Sequence, residues 1–303
     1  MKKVFKLILM ITALLLIVTA CTSTEAPGEK GEEIITAKEA LKSLREDNVV
    51  LVDARTASLY KDGHIKDAAN IARNDITTFG PFPNMLASAE KIEKVFGENG
   101  IANQSTVIVY DDNNNMDAAR LWWTMKIYGH EKVRVVSGGL KAMLAAGAET
   151  TTIIPDVLAV EYRAETINEK MLVSREEVKS VLDNPEKDIV LLDVRTREEY
   201  TDGTIPGSVH LNYEYNNFDD GRYRPIRQIH TLYRDKDISP EKTVIMYCKT
   251  SIRAAQTYLA LYNAGYRELK IYDGAWLEWS ADSSLPVEMP DGSGIEASFQ
   301  DAS

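Results

Sequence analysis

The sequence predicts an α/β protein made of two copies of one domain, each a mostly parallel sheet with helices on both faces. Three observations predict this fold class. Apolar, strand-like runs alternate with helical stretches of about ten to fifteen residues. The same motifs recur in the same order in both halves. The 303 residues, 44% of them hydrophobic and 27% charged, are enough for two ordinary globular cores.

The first repeated block is a helix start followed by a buried strand. A capping box, Thr or Ser with Glu three residues later, stands at residues 36–39 and again at 174–177. Continuous apolar runs then end in Asp-x-Arg, at Arg55 in the first half and Arg195 in the second. Such runs are typical of parallel strands that are covered on both faces.

Three further blocks repeat in the same order. Asp-Gly-x-Ile occurs at 62–65 and 202–205, and a Thr-Val-Ile strand pattern begins at 106 and 243, each time followed by an apolar helix. Gly138 to Leu140 corresponds to Asp273 to Ala275. The ordered blocks predict a duplicated domain. The predicted organisation is a signal peptide at 1–20, a lipidated tether at 21–33, an N-terminal domain at 34–155, a linker at 156–170, a C-terminal domain at 171–290 and a tail at 291–303.

The N-terminal segment has the pattern of a signal peptide. Three lysines precede an apolar stretch over residues 7–20, which is shorter than the roughly 20 residues that a membrane-spanning helix needs. Val-Thr-Ala before Cys21 resembles a bacterial lipobox, so we expect Cys21 to be lipidated and the protein to be held on the extracytoplasmic face of the cell membrane. An ordinary secretory signal and an uncleaved short anchor are the alternatives.

Composition excludes several function classes. The net charge of −11, which becomes −14 when the three lysines of residues 1–20 are removed, argues against nucleic acid as a partner. The two cysteines, Cys21 and Cys248, are too few for a disulfide framework or a multi-cysteine zinc site. The four histidines lack metal-ligand spacing, so we expect no metal site, and we interpret His64 and His210 as hydrogen-bonded structural residues.

The halves differ most where the strand of the 106/243 block ends. The second half has Cys-Lys-Thr-Ser-Ile-Arg at 248–253, and the first has Asp-Asp-Asn-Asn-Asn-Met at 111–116. A loop between a strand end and a helix N-terminus presents unpaired N–H groups, and Lys249 and Arg253 add positive charge. We therefore predict an anion-binding loop with Cys248 as its nucleophile. The alternative is that Cys248 is a small buried hydrophobe.

Over roughly residues 34–290 the chain resembles a tandem-domain rhodanese, a thiosulfate sulfurtransferase. The resemblance is carried by Asp-x-Arg at the strand ends, Gly-Thr-Ile-Pro-Gly-Ser at 203–208, the Cys-x4-Arg loop, Asp-Gly-Ala-Trp-Leu-Glu-Trp at 273–279 and Leu-Pro-Val-Glu at 285–288. It implies an inactive first domain, a catalytic second domain and no cofactor. We expect the protein to be a monomer.

The resemblance further implies a double displacement through a persulfide of Cys248, with a small anionic donor and cyanide or a thiol as acceptor. Lys249, Thr250, Ser251 and Arg253 are the predicted substrate-binding residues of the loop. Arg195 matches the family's substrate-binding arginine; the alternative is an ion pair with Asp193 that ties down the strand end.

The two loop cations favour thiosulfate, a dianion, over 3-mercaptopyruvate. Thr250 and Ser251 stand where thiosulfate enzymes often have glycine, which leaves the donor open between the two compounds. Related phosphatases have a loop one residue longer, so phosphatase activity is not expected. A surface lipoprotein that binds sulfur oxyanions or persulfide without turnover is the non-enzymatic alternative.

Two further regions give weaker signals. Residues 213–233 have no counterpart in the first half and are interpreted as a solvated loop, or as the source of an arginine that faces Cys248. Arg120 is a candidate to reach the interface between the halves. We expect the four tryptophans to fill the core or that interface.

Overall fold

The computed structural model of the protein describes residues 31–291. The signal peptide, Cys21 and nearly all of the tether and tail predicted above lie outside these residues. The elements of the first half are β1 (Ile34–Ile35), α1 (Ala37–Ser43), β2 (Val49–Asp53), α2 (Ala57–Asp62), β3 (His64–Ile65), β4 (Ala69–Asn70), β5 (Thr77–Thr78), β6 (Met85–Leu86), α3 (Ala89–Glu98), β7 (Thr106–Tyr110), α4 (Met116–Ile127), β8 (Val133–Val136), α5 (Gly139–Ala145) and β9 (Thr150–Thr151).

The second half repeats this order with fewer short strands. Its elements are β10 (Leu172–Val173), α6 (Arg175–Asp183), β11 (Ile189–Asp193), α7 (Arg197–Thr201), β12 (Val209–His210), α8 (Ile226–Arg234), β13 (Thr243–Tyr247), α9 (Ile252–Asn263), β14 (Leu269–Tyr272) and α10 (Ala275–Ala281). Short 3₁₀ helices lie at Arg73–Asp75, Glu169–Met171 and Tyr213–Asn216.

Each half contains a five-stranded parallel sheet. The strand order is β1-β8-β7-β2-β4 in the first half and β10-β14-β13-β11-β12 in the second, so equivalent strands occupy equivalent places. The two central strands pair in the same register, Val49 with Thr106 and Ile189 with Thr243. The α/β fold class and the duplication are therefore confirmed.

The capping boxes form as the sequence predicts. Thr36 accepts a hydrogen bond from the N–H of Glu39, whose carboxylate accepts one from the N–H of Thr36. Ser174 and Glu177 make the same reciprocal pair at the start of α6. These contacts satisfy backbone donors that a helix leaves unpaired at its start.

One hydrophobic cluster spans both halves. Helices α4 and α9, which follow the two equivalent loops, pack against each other, and the ring of Trp122 lies 6.0 Å from that of Tyr258 and 5.4 Å from that of Tyr262. Arg120 reaches the other half, as the sequence suggested, and forms an ion pair with Asp273 at 2.8 Å. The shared core brings the two loops that precede α4 and α9 close to the boundary between the halves.

The interpretation of residues 213–233 as a solvated loop is wrong. Tyr213, Tyr223 and Tyr233 are buried, and α8 occupies most of the second part of the segment. The buried side chain of Asn216 explains the order, because its amide donates to Gln256 and Thr257 and its carbonyl accepts from Tyr233. Two of its arginines are held locally: Arg222 pairs with Asp220, and Arg224 donates to the carbonyl of Tyr215.

Within residues 31–291, none of the helices has the length and apolar character needed to cross a bilayer.

Candidate active site

The cysteine loop, residues 248–253, lies at the carboxyl end of the second sheet. Strand β13 ends at Tyr247, Cys248 follows, and α9 begins at Ile252, with Ser251 as its N-cap at φ +66°. The carbonyl of Cys248 accepts a hydrogen bond from the N–H of Trp276 at 3.0 Å. Cys248 is only 1% exposed, so its thiol lies at the floor of the site.

The N–H groups of this loop form an open anion-binding cradle. Within residues 31–291, the backbone N–H groups of Lys249, Thr250 and Ser251 donate to no acceptor. The first N–H groups of α9 also lack intrahelical partners, and a helix N-terminus carries a partial positive charge. A bound anion next to Cys248 would meet these donors directly.

Arg253 stands beside the thiol in a two-point ion pair with Glu199. Its Nη1 and Nη2 atoms lie 2.5 and 2.9 Å from the two carboxylate oxygens. Burial opposes the charged form of Arg253, but the hydrogen bonds to Glu199 and the neighbouring Cys248 thiol outweigh it and raise the pKa of Arg253. Burial likewise opposes ionisation of Glu199, and the bond to Arg253 overcomes it and lowers the pKa of Glu199 to about 2. The positive charge of Arg253 is therefore balanced by the negative charge of Glu199.

Lys249, Thr250 and Ser251 have different environments. Lys249 is exposed and, within the described part of the chain, forms no ion pair, so it is the uncompensated cation of the loop. The Thr250 hydroxyl oxygen accepts a hydrogen bond from the Asn84 amide of the first domain at 3.1 Å. The Ser251 hydroxyl is fully buried and shares its one hydrogen between the carbonyls of Tyr272 and Asp273, at oxygen–oxygen distances of 3.0 and 2.8 Å. The Ser251 side chain thus holds the loop, and its N–H remains available to a ligand.

Arg195 makes the contacts expected from the ion-pair interpretation. Its Nε and Nη2 atoms donate to Asp193, with a shortest distance of 2.6 Å, and Nη2 also donates to the carbonyl of Gly203. The guanidinium lies 4.4 Å from the centre of a Trp276 ring and the residue is 2% exposed. Arg55 repeats these bonds with Asp53 and the carbonyl of residue 63. Substrate binding by Arg195 stays a prediction.

The first domain fills its equivalent cradle with its own side chain. The Asp111 carboxylate accepts four backbone hydrogen bonds of 2.9 to 3.1 Å, from the N–H groups of Asn113, Asn115, Asp117 and Ala118. Burial raises the pKa of Asp111 to about 7, against the opposing effect of these bonds. Five residues separate Tyr110 from α4, whereas four separate Tyr247 from α9. The first loop therefore offers neither a thiol nor an open cradle.

Two histidines, His64 and His210, make the hydrogen bonds that the sequence predicts. His64 Nδ1 lies 2.8 Å from the carbonyl of Tyr60, and His210 Nε2 lies 2.9 Å from that of Arg195. Among residues 31–291, no group of three or more His, Cys, Asp and Glu side chains is placed to hold a metal ion.

Sequence reasoning missed Glu199 and Asn84. Glu199 had a usable signal, because Thr196 and Glu199 form a capping box like those at 36–39 and 174–177. Its carboxylate serves both the cap and Arg253. Asn84 had none, since its contact with Thr250 joins residues 166 positions apart.

Within the described residues, the protein is a duplicated parallel α/β domain whose second copy has a cysteine in a loop with unpaired N–H groups. The chain belongs to the rhodanese family, since the Rhodanese-like domain matches residues 36–146 and 174–282.

Similar proteins agree with this assignment. The thiosulfate sulfurtransferase of Corynebacterium glutamicum is 28% identical over 277 residues, covering 85% of this chain and 90% of that protein. A Haloferax volcanii protein provisionally named thiosulfate sulfurtransferase is 32% identical over 219 residues, which cover 67% of this chain and 76% of that protein. The structure also resembles that of the anaerobic ergothioneine biosynthesis enzyme of Chlorobium limicola, which was solved with trimethyl histidine. The TM-score is 0.76 and the sequence identity 24%, and the match covers 85% of this chain and 70% of that one. The last likeness concerns the fold alone. The family and the named relatives support a sulfurtransferase activity, which requires a sulfur donor and an acceptor.

Proposed function

We propose that the protein is a thiosulfate sulfurtransferase that works through a persulfide on Cys248. One observation carries the proposal: the N–H cradle around Cys248 is open, whereas the equivalent cradle of the first domain is filled by Asp111. The second domain thus combines a nucleophile with an anion site at one point of the fold.

The reaction consists of two displacements. The Cys248 thiolate attacks the outer sulfur of thiosulfate, the S–S bond of the donor breaks, and sulfite leaves with the electron pair of that bond. The terminal sulfur of the resulting persulfide is then attacked by cyanide or a thiolate, and the Cys248 thiolate leaves. The N–H groups of residues 249–253 stabilise the anions that form at each step, because those of residues 249–251 have no other acceptor within the described chain.

The charges of the loop support thiosulfate over 3-mercaptopyruvate. Arg253 is compensated by Glu199, so Lys249 supplies the net positive charge at the rim of the loop. Together with the N–H groups it stabilises a dianion more than a monoanionic keto acid.

Mass spectrometry after mixing with a donor tests the proposal. Reduced, folded protein given thiosulfate should gain about 32 Da, one sulfur atom, on Cys248 and release about one sulfite per chain. The Cys248→Ser variant should show neither change. The same measurement with 3-mercaptopyruvate should give slower persulfide formation. An unmodified Cys248 in folded wild-type protein would overturn the proposal, and thiosulfate binding retained by Cys248→Ser without turnover would favour a binding protein.

We also propose that Cys21 is lipidated and holds the domains on the extracytoplasmic face of the membrane. Val-Thr-Ala before Cys21 resembles a bacterial lipobox and supports this proposal. Cys21→Ala should move the protein from the membrane to the soluble fraction, and an unchanged distribution would contradict lipid anchoring.

A further inference from the structure

An amide of the first domain donates a hydrogen bond to the cysteine loop. Asn84 Nδ2 donates to the hydroxyl oxygen of Thr250, two residues after Cys248, at 3.1 Å. Thr250 is half-buried and belongs to the loop whose N–H groups form the cradle. The contact therefore joins a domain without a nucleophile to the site of the other domain.

Asn84 is held firmly for this contact. It sits between β5 and β6 in the left-handed conformation, at φ +66°, and its N–H donates to the carbonyl of Thr78 at 3.1 Å. Its own carbonyl accepts a hydrogen bond from Nη2 of Arg120 at 2.9 Å. Arg120 is fully buried on α4, so the side chain that fixes Asn84 is itself fixed.

Arg120 also connects to the opposite side of the cysteine loop. Its Nη1 atom donates to the Asp273 carboxylate at 2.8 Å, and the second oxygen of that carboxylate accepts from the N–H of Leu86 at 2.7 Å. The carbonyl of Asp273 in turn accepts a hydrogen bond from the hydroxyl of Ser251. First-domain groups thus support the loop at Thr250 directly and at Ser251 through Asp273.

We propose that Asn84 is a positioning residue for sulfur transfer, which orients the Thr250 hydroxyl as a hydrogen-bond donor to the anionic part of the sulfur donor. Because the Thr250 oxygen accepts the Asn84 amide, its own hydrogen points away from Asn84. That hydrogen is then free to reach an oxygen of a bound oxyanion. Asn84 acts through Thr250 and does not touch the reacting sulfur. This role rests on the proposed function of Cys248.

The duplication provides a matched control. An asparagine of the second domain likewise donates to the equivalent loop of the first domain: Asn217 Nδ2 lies 3.1 Å from the carbonyl oxygen of Asn114. Asn217→Ala therefore removes an asparagine hydrogen bond between the domains at the loop that lacks a cysteine. Asn84→Ala removes one at the loop that has it. Both variants should remain folded, and Asn84→Ala should lose more thermal stability than Asn217→Ala, because it places alanine in the left-handed conformation at φ +66°.

The test compares rates of persulfide formation from thiosulfate. Asn84→Ala should lower the second-order rate constant about 10-fold, the size expected for one oriented hydrogen bond, while Asn217→Ala stays within about twofold of wild type. Thr250→Val should cause a similar loss, and the double variant Asn84→Ala with Thr250→Val should be no slower than Thr250→Val alone. Thr250→Ser keeps the hydroxyl and should retain both the rate and its dependence on Asn84. Equal rates for Asn84→Ala and Asn217→Ala, or losses that multiply in the double variant, would overturn the proposal.

A second readout separates this proposal from the proposed function. Alkylation of Cys248 by iodoacetate, an anion, relative to iodoacetamide, which is neutral, reports anion binding at the loop without any sulfur transfer. Asn84→Ala should lower this ratio several-fold and Asn217→Ala should not. If wild-type protein forms no persulfide, the proposed function fails, while an unchanged alkylation ratio in Asn84→Ala refutes the positioning role alone.

Discussion

Arg253 and Glu199 form a two-point ion pair beside Cys248, with nitrogen–oxygen distances of 2.5 and 2.9 Å. In the first domain, the residue equivalent to Arg253 is Asp117, which pairs with Arg73 at 2.7 Å. Both copies therefore keep an ion pair at the start of the helix, with the signs of the partners reversed. This reversal leaves a cation next to the cysteine and an anion next to Asp111.

The ion pair predicts a pH-dependent contribution to stability. The pKa of Glu199 is lowered to about 2 in the folded protein, from an ordinary value near 4.5. Its contribution is therefore complete above pH 4.5 and is lost as the pH falls toward 2. Glu199→Gln should lower the free energy of unfolding by about 2 kcal/mol at pH 7, and by progressively less below pH 4.5.

Urea unfolding of both proteins between pH 7 and pH 3.5 measures this difference. Glu176→Gln, which disrupts the solvent-exposed pair with Arg175, serves as the control and should have little effect. A difference between wild type and Glu199→Gln that is the same at every pH would contradict the role of the ionised carboxylate.

Lys249 should control the capture of the donor. As the uncompensated cation of the loop, it attracts thiosulfate through a screened Coulomb interaction. Lys249→Gln should raise KM about 3- to 10-fold with a smaller change in kcat and should weaken the dependence of kcat/KM on salt. Lys249→Arg should remain close to wild type. Steady-state kinetics from low to high ionic strength measure both effects, and an unaltered salt dependence in Lys249→Gln would refute this role.

The sequence predicted the elements that local patterns specify. Apolar runs and capping boxes located the central strands and the helices that begin at Ala37 and Arg175, because these signals lie within a few residues of the structure they describe. The same local patterns predicted that Cys248 directly follows a central strand. The contacts of Asn84 with Thr250 and of Arg253 with Glu199 join residues 166 and 54 positions apart, and no local pattern fixes which polar groups meet at that distance.

The error at residues 213–233 has the same cause. A polar, arginine-rich and tyrosine-rich segment looks solvated when no partner is visible in the sequence. Its order comes from Asn216, whose amide is satisfied by Gln256 and Thr257 on α9. The burial of this segment depends on a helix about 40 residues further along the chain.

Asp111 should be a stabilising residue of the first domain. Replacement by alanine leaves four backbone N–H groups without their acceptor, two of them on the buried residues Asn115 and Ala118. Asp111→Ala should therefore lower the free energy of unfolding by about 2 to 4 kcal/mol, measured by urea unfolding. Persulfide formation at Cys248 should be unchanged in the folded variant. Stability equal to wild type would show that water replaces the carboxylate in the cradle.

A cysteine at position 111 should not create a second reaction centre. The first-domain loop is one residue longer than the cysteine loop, and Asp112 and Asp117 stand where the second domain has Lys249 and Arg253. Both carboxylates are paired with arginines, Arg55 and Arg73, and neither position supplies the cation that Lys249 provides in the second domain. The variant Asp111→Cys with Cys248→Ser should gain no sulfur from thiosulfate by mass spectrometry. A mass gain of about 32 Da in this variant would show that a thiol in either loop is sufficient.

The two equivalent arginines allow the role of Arg195 to be measured. Arg55 and Arg195 are both buried, and each donates through Nε and Nη2 to the aspartate two residues earlier. Lysine cannot make this two-point contact, so Arg55→Lys and Arg195→Lys should each lower the free energy of unfolding by about 2 to 4 kcal/mol.

The kinetics of these two variants then separate stability from substrate binding. Arg55→Lys should leave KM for thiosulfate unchanged, because its pocket lies in the first domain. If Arg195 also binds the donor, Arg195→Lys should raise KM several-fold beyond the value for Arg55→Lys, at temperatures where both variants are folded. Equal KM values for the two variants would show that Arg195 only forms the ion pair with Asp193 and does not bind the donor.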